Sequence, residues 1–497
     1  MKNETKVKPI MAALLLGIFM ASLDNTIVAT SMGSIIGDLG GMDKYVWVTS
    51  AYLVAEMAGM PIFGKLSDMY GRKKFFIFGI MLFLIGSILC GTAQSMVQLC
   101  IFRAIQGIGG SALMPIAFTI IWDVVPSESR GKMSGLFGAV FGLSSIAGPL
   151  LGSFITDHIH WRWIFYINIP IGLLALGLIT LFYNESKTHT RQIIDWAGAI
   201  LLVSFSVSLM FALELGGDTY SWSSWQIISL FAISAVCFVA FLIIEKYAKD
   251  PILPFDLFKE RLYTTSVLTG MFYGGVFMVS TIYIPLYIQG VTGGSATNSG
   301  LLLLPMMVTS SVGAATGGAL ANKFSYRSIM IVSSILLGVG AILLGTLEPS
   351  TPRWMLTIYM MIVGLGVGPS FSILGMSAIQ KALPQQRGSA SSTSSFLRAL
   401  GMTLGITIFG VIQRNSFISG LPESFKQNVV GGNSRAILSP ELRAKIPADV
   451  LNRITEVLSD SLTTTFLWTL VPLAVAFVFI ILMSKEKLSD SQMFQDK

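Results

Sequence analysis

Four ionisable side chains stand inside otherwise apolar stretches of this chain: Asp24, Glu56, Arg103 and Arg398. Burial opposes the ionised form of a carboxyl group and a neighbouring cation favours it. Two carboxylates near an arginine are therefore the parts of a device that takes up and releases protons. In this reading Asp24 and Glu56 exchange protons with a cationic substrate, while Arg103 tunes Asp24. Glu214, which ends another apolar stretch beside Gly216-Gly217, reads first as a solvated interfacial acid and second as a substrate contact. Arg398 reads first as a cation that snorkels or bonds to backbone carbonyls, with contact to a substrate or cavity as the second reading. Other chemistries lack their parts. The histidines, His158, His160 and His189, fall in polar loops, and no His-Glu-x-x-His set is present. Cys90, Cys100 and Cys237 lie in apolar stretches with neither disulfide nor metal spacing. No metal or organic cofactor is expected, and an intramembrane enzyme is disfavoured.

The elements that must position these groups follow from hydropathy. Of 497 residues, 53% are hydrophobic and only 12% charged, against roughly 25% charged in an average soluble domain. Mean hydropathy is +0.72. This excludes a disordered chain and argues against a soluble globular enzyme. The apolar residues fall in blocks of about 20, the length that spans roughly 30 Å of hydrocarbon as a helix. About fourteen such spans can be drawn: 10–31, 46–66, 75–93, 97–121, 133–156, 163–183, 194–214, 225–245, 264–288, 298–320, 328–347, 354–377, 390–412 and 462–484. The first continues through Asp24 with no cleavage signature after it, so it reads as a spanning helix and not a removable leader. A receptor would need a sizeable soluble domain, for which the short loops leave no room.

Of the 33 Lys and Arg residues, most fall in segments on the side of the N-terminus; the short loops opposite hold only Lys44, Arg162 and Arg353. Positive loops face the cytoplasm, which puts both termini there. The net charge of +7 follows from these loops and needs no nucleic-acid partner, because no basic stripe with interleaved aromatics exists. With this orientation Asp24 lies about 21 Å along span 1 from the inner side, Glu56 about 15 Å and Arg103 about 9 Å from the outer side. A contact between Asp24 and Arg103 is then geometrically allowed. The long polar segment 413–461, with Gly431-Gly432, Pro440 and a helical pattern near 447–459, is expected outside as an extended loop carrying an interfacial helix.

An internal repeat divides the chain. Gly64-Lys65-Leu66-Ser67-Asp68-Met69-Tyr70-Gly71-Arg72-Lys73-Lys74 follows span 2, and a related segment from Gly318 to Arg327 follows span 10. The shift of 254 positions carries Asp68 onto Asn322. Two six-helix halves emerge, residues 1–184 and 247–497, with 185–246 as an inserted helix pair. Repeats that meet around a midplane cavity are the plan of alternating-access transporters.

The chain resembles the major facilitator superfamily, and within it the fourteen-span drug:proton antiporters of the EmrB/QacA type, over essentially its whole length. The carriers are Leu23-Asp24-x-Thr26-Ile27-Val28, the Gly64–Lys74 loop and Arg103-Ala-Ile-Gln106-Gly107-x-Gly109-Gly110. Further carriers are Gly148-Pro149-Leu-Leu-Gly152 and Trp161-Arg162-Trp163-Ile-Phe-x-Ile-Asn168-x-Pro170. The resemblance implies an all-α integral membrane protein of the major facilitator fold, two six-helix bundles plus two inserted helices. It also implies proton coupling through Asp24 and Arg103. It reads Gly148, Pro149 and Gly152 as the antiporter signature. The residues themselves suggest a gating loop at Gly64, Asp68, Gly71 and Arg72, where glycines permit a tight turn and Asp68 is expected to pair with Arg130 in the next inner loop. The function implied is proton-driven export of amphipathic, mostly cationic drugs across the cell membrane, with a narrow exporter of one antibiotic, lipid or metabolite as the alternative. Its partners are the small-molecule substrate, H+ and the lipid bilayer.

Overall fold

The computed structural model describes residues 4–41, 44–185, 195–217, 219–253, 255–293, 296–421 and 448–490. Its long elements are all helices. The first set is α1 (Glu4–Leu39), α2 (Tyr45–Tyr70), α3 (Arg72–Thr92), α4 (Met96–Val124), α5 (Ser127–His158), α6 (Trp163–Tyr166) and α7 (Asn168–Phe182). Then come α8 (Trp196–Leu215) and α9 (Trp225–Tyr247). The last set is α10 (Arg261–Gly290), α11 (Ala296–Leu320), α12 (Tyr326–Leu344), α13 (Arg353–Gln380), α14 (Arg387–Gly420), α15 (Ala448–Trp468) and α16 (Leu470–Leu482).

Among the described residues, 13 helical stretches are long and apolar enough to cross a membrane, α6–α7 and α15–α16 each making one. The remaining long helix, α2, has 26 residues and is less apolar because it carries Glu56, Lys65 and Asp68. Helices suit this setting because every backbone group inside them is bonded within its own segment. Four of their starts are marked by side-chain caps: Ser95 accepts from Gln98 N, Asp195 from Gly198 N, Ser224 from Ile227 N and Ser325 from Ser328 N. Between α2 and α3 the chain reverses at Gly71, with φ of 112°, a conformation that side chains other than glycine rarely adopt.

Within the first set α1 packs on α5, α7 and α4, α2 on α4, and α3 on α4 and α7. Within the last set α10 packs on α14, α13 and α16, α11 on α13, and α12 on α13 and α16. The two sets meet where α5 lies along α11 and α2 along α14, while α8 and α9 pack on each other with α8 touching α2 and α14.

The segment 413–461 differs from the sequence expectation. Residues to Gly420 continue α14, and from Ala448 the chain is already in α15, which leads directly into α16. No separate interfacial helix forms among the described residues. α15 buries Ile454, Val457, Leu458, Ser461, Leu462, Thr465 and Phe466 against the neighbouring α14, α10 and α12. Arg453 and Glu456 pair at 3.2 Å on its exposed side. One apolar stripe under a polar outer face lowers the average hydropathy, which is why the expected helix near 447–459 reads as interfacial and separate from the last span. Residues 422–447, including Gly431-Gly432 and Pro440, lie outside the described residues, as does His189.

Candidate functional site: a buried charge network and its gate

Asp24 on α1 and Arg103 on α4 are both fully buried and form an ion pair through Arg103 Nη1 and Asp24 Oδ2. The same Nη1 donates to Gln106 Oε1 at 2.8 Å, and Arg103 Nε donates to Val48 O at 3.1 Å. The other carboxylate oxygen of Asp24 accepts from Gln106 Nε2 at 2.8 Å and from Asn168 Nδ2 at 3.0 Å. Ser87 Oγ closes the network by accepting from Asn168 at 3.0 Å and Gln106 at 3.3 Å while donating to Phe165 O at 2.8 Å. Arg103 also lies over the Tyr52 ring, 4.3 Å from its centroid. Side chains of α4 and α7 thus meet the α1 carboxylate, and α2, α3 and α6 complete the network. Such a pair is tolerable inside a helix bundle only because most of its lone pairs and protons are satisfied. Gly107 makes the approach possible: a Cβ there would lie 2.3 Å from Tyr52 O.

Glu56 stands one turn beyond Tyr52 on α2. It is half-buried and has no hydrogen bond or ion pair among the described residues. Its Oε1 and the Tyr52 hydroxyl share the bare face of α4 at Gly110, where a Cβ would lie 3.7 Å and 2.6 Å from them. Tyr52 Oη and Arg103 Nη2 are buried without a partner among the described residues. Tyr52 therefore bridges the space between an unbonded carboxyl and the Asp24 network. Sequence reading picked out the charges but missed Gln106, Asn168, Ser87 and Tyr52 as their partners. The signal was there for Gln106 and Asn168, as amide side chains in apolar blocks beside glycine and proline.

The Gly64–Lys74 segment meets the start of α14 at the end of the bundle that holds the chain's N-terminus. Asp68 accepts from Gly388 N and Ser389 N, each at 2.8 Å, from Ser389 Oγ at 3.2 Å and from Arg72 Nη2 at 3.2 Å. A carboxylate at the first turn of α14 meets unpaired N–H groups and the positive end of the helix dipole. Arg72 also pairs with Asp123 at the end of α4, and Asp123 binds Arg387 at 3.3 Å. The expected pairing of Asp68 with Arg130 does not form. Arg130 instead donates to Trp122 O at 2.9 Å and Val125 O at 3.1 Å and lies over the Trp122 ring at 4.5 Å. The unpaired carbonyls at the end of α4 are closer than any carboxylate and capture it.

Beside Asp68, α2 and α14 touch backbone to backbone: a Cβ on Gly64 would lie 2.7 Å from Gly388 O and 2.0 Å from Ser392 Oγ. The repeat-related crossing of α5 and α11 is built the same way, with Gly131 and Gly318 in contact, and Asn322 Nδ2 donates to Glu128 O at 3.0 Å. Asp68→Asn removes the negative charge from the start of α14 and is expected to loosen this closure. A cysteine replacing the buried Ser392 should then react several-fold faster with an impermeant maleimide; an unchanged rate would count against the role given to Asp68.

On α5, Gly148 and Gly152 face α1, where a Cβ would lie 1.9 Å from Thr26 Oγ1 and 2.3 Å from Thr30 Oγ1 respectively. Thr26 Oγ1 lies 3.2 Å from Ser144 O. Pro149 takes the intervening position, where its missing N–H leaves the helix free of one rung. Gly148→Val is expected to cost about 1–3 kcal/mol by overpacking and to lower the yield of monodisperse protein on size-exclusion chromatography, with Gly148→Ala between the two.

The remaining candidates stand apart from the Asp24 network. Glu214 is half-buried near the end of α8, three residues past Phe211, whose ring meets Trp47 of α2 at 4.8 Å. Arg398 Nη2 donates to Ser370 O at 2.8 Å.

Comparison with known proteins places this architecture. The chain is 52% identical to multidrug resistance protein 3 of Bacillus subtilis, over 98% of this chain and 96% of that protein. It is 36% identical to the multidrug transporter protein MdtP of the same organism, over 99% and 95%. Among solved structures, the proton:xylose symporter XylE superposes with a TM-score of 0.64 at 14% identity, covering 98% of this chain and 99% of that one. The fucose:proton symporter FucP of E. coli gives 0.60 at 14%, over 96% and 98%. The family model described as Major Facilitator Superfamily matches residues 14–406. The chain is thus a multi-pass membrane transporter, not an enzyme, and belongs to the major facilitator superfamily.

Proposed function

We propose that this protein is a multidrug efflux transporter that exchanges H+ for amphipathic, mainly cationic drugs across the plasma membrane, with both termini in the cytoplasm. Residues 1–184 and 247–497 act as two bundles that alternate access, and 185–246 is an inserted helix pair. The names borne by the two Bacillus relatives support export of several drugs. The single observation that carries proton coupling is the pairing of an ion-paired, hydrogen-bonded Asp24–Arg103 couple with an unbonded Glu56, with Tyr52 between them. A cation arriving at Glu56 displaces its proton, and reprotonation from outside releases the cation. The Asp24 network holds Tyr52 and α4 in register while this happens. In this reading the contacts of Asp68 with the start of α14 hold the inner end shut.

The direct test is purified protein in liposomes with ethidium and an imposed pH gradient. Ethidium is expected to move against its own gradient when protons move with theirs. Flux that is indifferent to the pH gradient would remove the exchange mechanism.

A further inference from the structure

Arg398 is a deep cation in a region without acids. Between Arg261 and Gly420 the only carboxylate is Glu348, in the loop after α12. A guanidinium carries five N–H donors in a rigid fork, yet among the described residues Arg398 makes a single hydrogen bond, to Ser370 O. It is half-buried, and none of its nitrogens is both buried and unpartnered. Its remaining nitrogens are therefore not fully enclosed by the bundle. Arg103, by contrast, is sealed and ion-paired.

Aromatic rings stand beside the guanidinium, Phe277 and Phe371 themselves buried. The Arg398 guanidinium lies 5.1 Å from the centroid of Phe371 on α13. Phe371 meets Phe277 of α10 edge-on at 5.5 Å and Phe141 of α5 at 5.4 Å. Phe141 and Phe277 are 6.4 Å apart, so the cluster draws on both sets of helices. Gly274 presents bare backbone to Arg398: a Cβ there would lie 3.3 Å from its Cγ. Height can be measured from the Gly64–Gly388 contact. Glu56 lies eight residues along α2 and Arg398 ten residues along α14, about 12 Å and 15 Å at 1.5 Å per residue. An acid without a bonded partner and an acid-free cation thus stand at nearly the same level on two helices that pack together.

We propose that Arg398 and the Phe141–Phe277–Phe371 cluster recognise aromatic molecules that carry a carboxylate, so that the transporter's substrates include zwitterions whose basic end is met at Glu56. A carboxylate fits the guanidinium fork bidentately, and a planar ring fits the edge-on and tilted phenylalanines. This extends the drug-exchange reading above and rests on it for the role of Glu56.

A matched dye pair tests the proposal. Rhodamine B carries a free carboxylate beside its cationic ring system, and its ethyl ester lacks only that negative charge. Binding of each to the full-length protein in detergent, read by fluorescence anisotropy, requires no gradient and no transport. Arg398→Gln is expected to weaken rhodamine B by about tenfold, the loss of one charge-assisted contact, and to leave the ester nearly unchanged. Arg398→Lys should restore part of the difference. Phe371→Leu should weaken both dyes alike while keeping the carboxylate preference. Equal losses for the two dyes in Arg398→Gln, no loss for either, or no binding of rhodamine B by the unaltered protein would overturn the assignment. If Arg398→Gln does not fold, Arg398→Lys decides: an unaltered ratio of the two affinities overturns it. Failure of ethidium exchange with the dye difference intact would strike the coupling mechanism alone.

Discussion

Glu56→Gln is expected to bring pH-gradient-driven ethidium flux down to the level of protein-free liposomes while leaving the protein folded. Gln keeps the volume of Glu and cannot release a proton, and Glu56 has no bonded partner among the described residues whose loss would be felt elsewhere. Its thermal denaturation curve should therefore match that of the unaltered protein. Ethidium binding in detergent should weaken by about tenfold, since one charge contact is lost. The measurement is paired: flux in liposomes and binding in detergent on the same preparation. Full gradient-driven flux in Glu56→Gln would take this residue out of the mechanism, whatever its effect on affinity.

The opposite pattern is expected at Asp24. Asp24→Asn leaves Arg103 buried with no counter-charge, at the crossing of α1, α2, α3, α4 and α7. Breaking a buried ion pair from one side costs about 3–5 kcal/mol, most of it the penalty of the abandoned charge. The variant should show a clear fall in its melting transition, and Arg103→Gln a comparable one. The double substitution Asp24→Asn with Arg103→Gln should be more stable than the sum of the two losses predicts, because neither charge is then stranded. A double variant whose losses simply add would mean that the pair does not interact energetically. Transport by the double variant, if it folds, separates a structural bridge from a proton-handling one: gradient-driven flux at full rate would leave Asp24 a purely structural member.

Much of this architecture was legible in the sequence, for physical reasons. Apolar blocks of bilayer length gave the spans. Counting residues along spans 1 and 4 allowed Asp24 and Arg103 to meet, since helical rise is constant. What stayed hidden depended on packing between distant segments. Asp123 sits at the end of α4 with nothing in its neighbours to point to Arg72 and Arg387. Arg130 was assigned to Asp68 by charge alone, but the carbonyls at the end of α4 are nearer. Ser87 and Tyr52 are ordinary residues of apolar helices until a carboxylate and a guanidinium are brought against them. The helix expected near 447–459 reads as interfacial because its polar face lowers its hydropathy below that of a span, whereas in the fold it is the first part of α15 and packs on α14.

The crossings at Gly64–Gly388 and Gly131–Gly318 have a mechanical consequence. Where main chain rests directly on main chain, no rotamer has to be frozen when the surfaces come together and none is released when they part, so docking there carries almost no side-chain entropy. In the alternating-access reading proposed above, the two sets of helices would then separate and re-seat through many cycles without searching for an interdigitated fit. Resistance to parting is left to a small group of polar contacts centred on Asp68, and those few bonds become the natural place to set how often the inner mouth opens.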